Sequence, residues 1–342
     1  MSSTLDEILN QSRSWSETIA ALETATGGAA RQLLARDDAR IVLFGCGSSY
    51  HLAKSAAHSI AELTGRPSQA VPASEVFLSP ASVLPDPKST IAVAISRSGF
   101  TTEVLLALEY LKAHHPSMPV IAITCRAGSP LAKLDDAIVL PWADEASVVM
   151  TQSWTNMFLA IQLLASSGRR ALRDQLRQMP EFLERGLDAF RGAARDLGSQ
   201  VMRGDTTYLG LGVRRGVADE AALKLREMAQ ANCQADNPLE LRHGPISTIT
   251  RDSTVCLLMG DAEREYLPDL LSSLRERGAF VGAIAPYPVA DVDRLVSLPD
   301  GLLDVSRTIL YLPVLQLLAY EAALVAGLDP DRPRTLDQVV VL

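Results

Sequence analysis

Cysteine is scarce: 342 residues hold four, Cys46, Cys125, Cys233 and Cys256, spaced 79, 108 and 23 positions apart. No pair has the short spacing of metal ligands, and four scattered thiols make no disulfide framework, so neither a metal nor a disulfide is expected. Basic residues are in deficit, 32 Lys and Arg against 40 Asp and Glu, and the net charge of −8 argues against nonspecific nucleic-acid binding. The N-terminus, MSSTLDEILNQSRSW, is without the basic region and apolar core of a signal peptide. Long apolar runs are nearly missing too. The longest, 310–328, approaches membrane length, but Pro313, Gln316 and Glu321 interrupt it, and a buried helix is expected there. Together these absences predict a soluble cytoplasmic protein with no membrane or nucleic-acid partner.

What is present is ordinary globular material, 47% hydrophobic, 21% charged and 5% aromatic, which excludes disordered, collagen-like and coiled-coil chains. The length suits two packed units of about 150 residues each. Their internal pattern repeats. IVLFGCG (41–47) is a buried strand that ends in glycines and leads into the helical HLAKSAAHSIAEL; IAVAIS (91–96), the helical 101–115 and PVIAIT (119–124) follow. Some 165 residues on, YLGLG (208–212), a helix over 217–231, STVCLLMG (253–260), a helix over 264–278 and AFVGAIA (279–285) repeat that order. Continuous apolar strands alternating with helices predict parallel sheets covered on both faces. The expected fold is α/β: two doubly wound parallel-sheet domains at 35–168 and 201–328. A helical segment (1–34) precedes them, a helical connector (169–200) joins them and a tail (329–342) follows.

Ligands of open parallel sheets bind beyond the carboxyl ends of the strands. Two such ends in the first half carry unusual loops. Gly45-Cys46-Gly47-Ser48-Ser49-Tyr50 begins like a dinucleotide fingerprint, but Tyr50 stands where the third glycine belongs, which makes a nicotinamide cofactor a weak reading. Ser96-Arg97-Ser98-Gly99-Phe100-Thr101 places three hydroxyls at a helix start, where backbone N–H groups and the helix dipole favour an anion. A helix cap would need one hydroxyl. Three around a glycine, with Ser48 and Ser49 opposite, favour a phosphate monoester.

In the second half, Val217, Ala218, Ala221, Ala222, Leu225, Met228 and Ala229 form one apolar arc of a helix, while Glu220, Lys224 and Glu227 share a polar line at spacings of three and four. Periodicity alone reads that line as a solvated, salt-bridged face. The following segment, Pro238–Pro245, sets His243 in a turn before Gly-Pro, and a histidine after a helix carrying Lys and Glu makes a candidate acid/base set.

These motifs resemble the double sugar-isomerase (SIS) domain proteins, most closely the isomerase half of glutamine–fructose-6-phosphate amidotransferase and stand-alone SIS-type glucosamine-6-phosphate deaminases. The resemblance runs from about residue 40 to the C-terminus through CGSSY (46–50), ASE (73–75), ISRSGFTTE (95–103), E-x-S-V-x-x-T (145–151), EAALKLREM (220–228), ELRHGP (240–245) and PRTL (333–336). It implies that Ser49, Ser96, Ser98 and Thr101 bind the substrate phosphate, and that Cys46, Gly47, Ser48, Gly99, Val148, Thr151 and Gln338 line the rest of the substrate. Glu227 is implied as the base moving a proton between C1 and C2, His243 as the ring-opening group reaching in from the neighbouring subunit of a homodimer, and Lys224 as a substrate-positioning cation. No cofactor is implied.

Two departures redirect the expected reaction. The chain begins Met-Ser-Ser rather than with a nucleophilic cysteine, so glutamine is not expected as nitrogen donor. Gln338 stands where the amidotransferases keep a Schiff-base lysine, and a carboxamide forms no imine. The reverse direction needs no lysine: glucosamine 6-phosphate brings its own nitrogen and would yield fructose 6-phosphate and ammonia. Deglycation of a fructosamine-type 6-phosphate, aldose–ketose phosphate isomerisation, and a non-catalytic sugar-phosphate sensor remain the alternatives.

Overall fold

The computed structural model describes residues 2–24, 28–34, 36 and 38–339. They form two compact units, one of residues 10–146, 150–180 and 337 onward, the other of residues up to 9, 147–149 and 181–336. The Arg170–Val201 helix is divided between them at Pro180, which removes one i→i−4 hydrogen bond from its ladder.

The first unit holds a five-stranded sheet, β1 (Arg40–Gly45), β2 (Ser68–Pro72), β3 (Thr90–Ile95), β4 (Val120–Thr124) and β5 (Ala137–Val139), in the order 2-1-3-4-5. Every pairing is parallel. β1 and β3 are buried almost throughout because helices cover both faces. Val42, Phe44, Ala92, Ala94 and Ala122 pack with Val104 and Leu111 of the Thr102–His114 helix. On the N-terminal side, the Gln11–Thr24 helix lies against the Gln152–Ala165 helix. Trp15 Nε1 donates to Thr155 Oγ1 at 2.9 Å there.

The second unit repeats the design with β6 (Thr206–Gly210), β7 (Cys233–Asp236), β8 (Thr254–Leu258), β9 (Phe280–Ala285) and β10 (Arg294–Ser297). Read from β7, its order is 7-6-8-9-10, the same winding as 2-1-3-4-5, again all parallel. Two doubly wound parallel sheets are therefore present. Each has two more strands than the apolar runs predict. β2, β5, β7 and β10 are edge strands of three to five residues with polar or half-buried positions, so no continuous apolar run marks them.

The stretch Asp304–Val325 is long and apolar enough to cross a membrane, yet 83% of its most apolar window is buried inside the fold. Its Tyr311–Val325 helix packs along the Arg214–Ala229 helix, as expected of a core helix.

Candidate active site

β1 and β3 are neighbours, with Phe44 opposite Ala94, so the loops that follow them leave the sheet side by side. Gly45 lies against both Ser49 and the Ile95 carbonyl. In the second loop the hydroxyls converge: Ser96 Oγ is 2.9 Å from Thr101 Oγ1 and 3.5 Å from Ser98 Oγ. Ser96 Oγ accepts the Gly99 N–H at 3.1 Å and Ser98 Oγ the Phe100 N–H at 3.2 Å. Thr101 occupies the N-cap of the Thr102–His114 helix and makes no side-chain cap bond. Capping therefore does not explain the hydroxyl of Thr101, which faces Ser96 instead. Gly99 has φ +67°, and a Cβ there would sit 2.2 Å from Ser129 Oγ, so no other residue fits.

Ser48 and Ser49 open the Ser48–Thr64 helix and are buried; Gly47, at its N-cap, has no side chain to cap with, and its carbonyl accepts the Tyr50 and His51 N–H groups at 3.0 Å. Ser49 Oγ lies 3.9 Å from Met150 Sδ, which sets the segment before Thr151 beside the serines. Cys46 is half-buried, and burial, then the Glu103 charge, pushes its thiol up to about 12. A thiol held that high is protonated at neutral pH, with about a thousandfold less thiolate than an ordinary cysteine. Iodoacetamide at pH 7.5 should therefore leave Cys46 unmodified in the folded chain, as read by peptide mass; rapid alkylation would contradict this burial.

Glu145 organises the rest of this edge and was singled out in the sequence only as part of a motif. Its side chain is buried, and Oε1 accepts the Thr151 N–H at 2.6 Å, the Thr151 hydroxyl at 2.8 Å and the Ser153 N–H at 3.0 Å. Oε2 accepts the Ser153 hydroxyl at 2.5 Å and Arg97 Nη1 at 3.2 Å. This carboxylate thus caps the Gln152–Ala165 helix from outside and holds the one cation inside the serine loop. Arg97 Nη2 in turn donates to the Gln338 carbonyl at 3.0 Å. Both ends of the Gln338 carboxamide are engaged: Nε2 donates to the carbonyls of Glu145 at 3.1 Å and Ala146 at 2.9 Å, and Oε1 accepts Arg126 Nη2 at 3.4 Å. Arg126 also pairs with Asp144 at 3.3 Å. A lysine at 338 could not accept from Arg126 and would add a third cation beside it and Arg97.

In the second unit, the Glu220–Lys224–Glu227 line is not a solvated face. The side chains of Lys224 and Glu220 are fully buried and that of Glu227 is 19% exposed. Lys224 Nζ lies 3.3 Å from Glu220 Oε1 and hydrogen-bonds Glu227 Oε2. The periodicity of one helix cannot reveal whether its polar side is covered; here the fold buries Glu220 and Lys224 completely. The pairing is what makes the burial tolerable, since an isolated buried charge is costly. His243, in the turn Glu240–His243, is exposed and its side chain forms no hydrogen bond or ion pair among the described residues, so within its own chain it is not joined to Lys224 or Glu227. Val148 is half-buried in the 147–149 segment, which groups with this unit, where Glu7 accepts the Ser147 N–H at 3.2 Å.

The second sheet has a counterpart of the serine loop after β8, and its own side chains fill it. Glu263 accepts the Gly260 N–H at 2.8 Å and Arg214 Nη2 at 2.6 and 2.7 Å, while Arg214 Nη1 meets Asp304 at 3.0 Å. A Cβ on Gly260 would fall 2.2 Å from Arg214 Nη1. A built-in carboxylate thus takes the polar partners an anion would use, and among the described residues the open hydroxyl loop belongs to the first unit. Among the described residues no group of three or more His, Cys, Asp and Glu could hold a metal.

Residues 33–167, which contain this loop and the Glu145 cluster, match the SIS domain family. The chain thus carries an SIS domain over these residues. It is 31% identical over 319 residues to a glutamine–fructose-6-phosphate aminotransferase (isomerizing) of Pseudomonas aeruginosa, an alignment spanning 88% of this chain and 51% of the relative. To the Pyrobaculum aerophilum aminotransferase of that name it is 29% identical, spanning 99% of this chain and 57% of the relative. The chain thus spans about half the length of the curated relatives it matches. Among solved structures, glucosamine-6-phosphate deaminase from Thermotoga maritima aligns over 100% of both chains with a TM-score of 0.80 at 28% identity. Tagatose-6-phosphate ketose/aldose isomerase from Escherichia coli aligns over 99% of this chain and 95% of its own, with a TM-score of 0.84 at 26% identity. Three residues that the sequence motifs did not mark for a role join this cluster: Arg97, Arg126 and Glu145. Only the proximity of an acid to hydroxyls in E-x-S-V-x-x-T hinted at one of them.

Proposed function

We propose that this chain is a sugar-phosphate enzyme of the SIS type that converts glucosamine 6-phosphate and water into fructose 6-phosphate and ammonia. The observation that carries the reading is the convergence of the Ser96, Ser98 and Thr101 hydroxyls at a helix start that no side chain caps. In the proposed reaction these hydroxyls, with Ser49, hold the phosphate. His243 moves the C1 hydroxyl proton to the ring oxygen and opens the ring; exposed and unpaired in its own chain, it is proposed to serve the partner copy of a homodimer. Glu227 takes the C2 proton and returns it to C1 as the amine proton passes to O1, leaving C1 as CH2OH and an imine at C2. Water adds to the imine and ammonia leaves. Lys224 hydrogen-bonds Glu227 and fixes its carboxylate in place for the proton transfer. No step needs a metal, a redox cofactor or glutamine, and a cytoplasmic setting belongs to the same proposal.

Two facts support the deaminase over ammonia-adding chemistry. The Gln338 carboxamide is taken up by Glu145, Ala146 and Arg126, with no amine there to form a Schiff base. The Thermotoga maritima protein of matching length is a glucosamine-6-phosphate deaminase. The test is release of fructose 6-phosphate and ammonia from glucosamine 6-phosphate. Equimolar products are expected; ketose without ammonia from an ordinary aldose phosphate would make the protein an isomerase, and turnover of fructosamine phosphates alone a deglycase. Ser98→Ala and Thr101→Ala should each raise KM about 10-fold or more, the loss of one hydrogen bond to a charged group. Unphosphorylated glucosamine should be a poor substrate for both variants and the parent. An unchanged KM in both variants would remove the loop from substrate binding.

A further inference from the structure

The first two turns of the Arg170–Val201 helix carry a charge arrangement for which sugar-phosphate turnover has no use. Arg169, Arg170, Arg173 and Arg177, joined by Arg31, Glu23 and Gly168, line an open cavity of about 680 Å³. All of these residues belong to the unit of β1–β5. Arginines three and four apart on a helix repel one another. They also crowd the helix end whose dipole is already positive, and no acid stands in that first turn. Two carboxylates answer in part: Glu23 and Asp174 each reach Arg177 at 2.6 Å, and Asp174 lies 3.7 Å from Arg170. Arg31, Arg169 and Arg173 form no ion pair among the described residues, and the Nε atoms of Arg31 and Arg173 are buried without a hydrogen-bond partner. Burial, then the nearby Arg173 charge, pulls Arg31 below the usual guanidinium range against the opposing pull of Glu23. In a chain of net charge −8 this is a local excess of cations held where repulsion and desolvation both count against it.

We propose that this cavity is an anion site, separate from the serine loop, that binds a multiply charged phosphate of the pyrophosphate or polyphosphate class. Guanidinium forks pair phosphate oxygens two at a time. Three such groups without a carboxylate partner match an anion of three or more charges better than a monoester. The volume exceeds what a single phosphate fills. The serine loop differs in kind: its cation, Arg97, is committed to Glu145, and its remaining polar groups are hydroxyls and N–H groups. A concave site on an acidic chain also disfavours nucleic acid, which needs an extended basic track.

The experiment is calorimetric titration of the full chain, at about physiological ionic strength, with inorganic triphosphate, pyrophosphate, orthophosphate and a short single-stranded oligonucleotide. Affinity should fall in the order triphosphate, pyrophosphate, orthophosphate. Arg173→Gln and Arg169→Gln should each weaken triphosphate binding about tenfold, the effect of losing one charge-assisted pair, whereas Ser98→Ala should leave it unchanged. Arg169 is exposed, so its variant tests the site without disturbing packing. Equal affinity in the arginine variants would overturn the proposal. So would loss of binding in Ser98→Ala, which would move the anion to the serine loop. Tighter binding of the oligonucleotide than of triphosphate would make the surface a nucleic-acid contact instead.

Discussion

Glu227→Gln should lower kcat for glucosamine 6-phosphate by about 10³-fold or more, while the affinity for the sugar phosphate stays within about threefold. A positioned general base contributes on the order of 10²–10⁴, and the amide cannot accept the C2 proton. The substitution keeps the shape of the side chain, and its carbonyl oxygen still accepts from Lys224 Nζ, whose other carboxylate, Glu220, is untouched. The melting temperature should accordingly move by only a few degrees. The decisive readout is exchange of the C2 proton with deuterated solvent, which reports proton abstraction even when ammonia release is slow. Exchange at the parental rate would transfer the role to another carboxylate. Glu220 would then come first, because it shares Lys224, and exposed Glu240 second.

Glu145→Ala should cost about 3–5 kcal/mol of stability, the range for removing one partner of a buried ion pair, and should weaken phosphate binding as well. The carboxylate takes five hydrogen bonds, from Thr151, Ser153 and Arg97, and all of those donors lose their acceptor at once. Arg97 would remain buried with a full charge and without its carboxylate partner, its Nη2 still donating to the Gln338 carbonyl. Because Arg97 stands between Ser96 and Ser98, its release disturbs the hydroxyl loop directly. Urea unfolding gives the stability change, and KM for the sugar phosphate gives the functional one. Glu145→Gln keeps one acceptor oxygen without the charge and should fall between parent and alanine. A loss below about 1 kcal/mol for the alanine variant would mean that the cluster rearranges around solvent and that Glu145 is not its organiser.

Much of this architecture is legible locally. The apolar runs that became β1, β3, β4, β6, β8 and β9 are buried on both faces, so burial itself writes them into composition. The four edge strands are not legible, because most of their positions are only half-buried or exposed and their residues need not be apolar. The serine loop shows in the sequence because a run of small hydroxyl residues after a strand has few other uses, and its hydroxyls do converge. The polar line of Glu220, Lys224 and Glu227 shows as a set of helical neighbours, but whether water or protein covers it is decided by packing from elsewhere in the chain, which buries Glu220 and Lys224.

Spacing along one strand or one helix turn fixes the period of the elements, the doubling of the β-α-β-α-β order and the chemistry available at each loop. Tertiary structure alone decided which charges are buried and what each one meets. Arg97, Glu145 and Gln338 come together across 48 and 193 residues of chain. In the second sheet, Arg214 and Glu263 meet across 49 residues, so that the corresponding loop is filled rather than open. Side chains that far apart are brought into contact by the winding of the sheet and the packing of its helices. The energy of those contacts depends on excluding water from both partners, a property that no local pattern of residues carries.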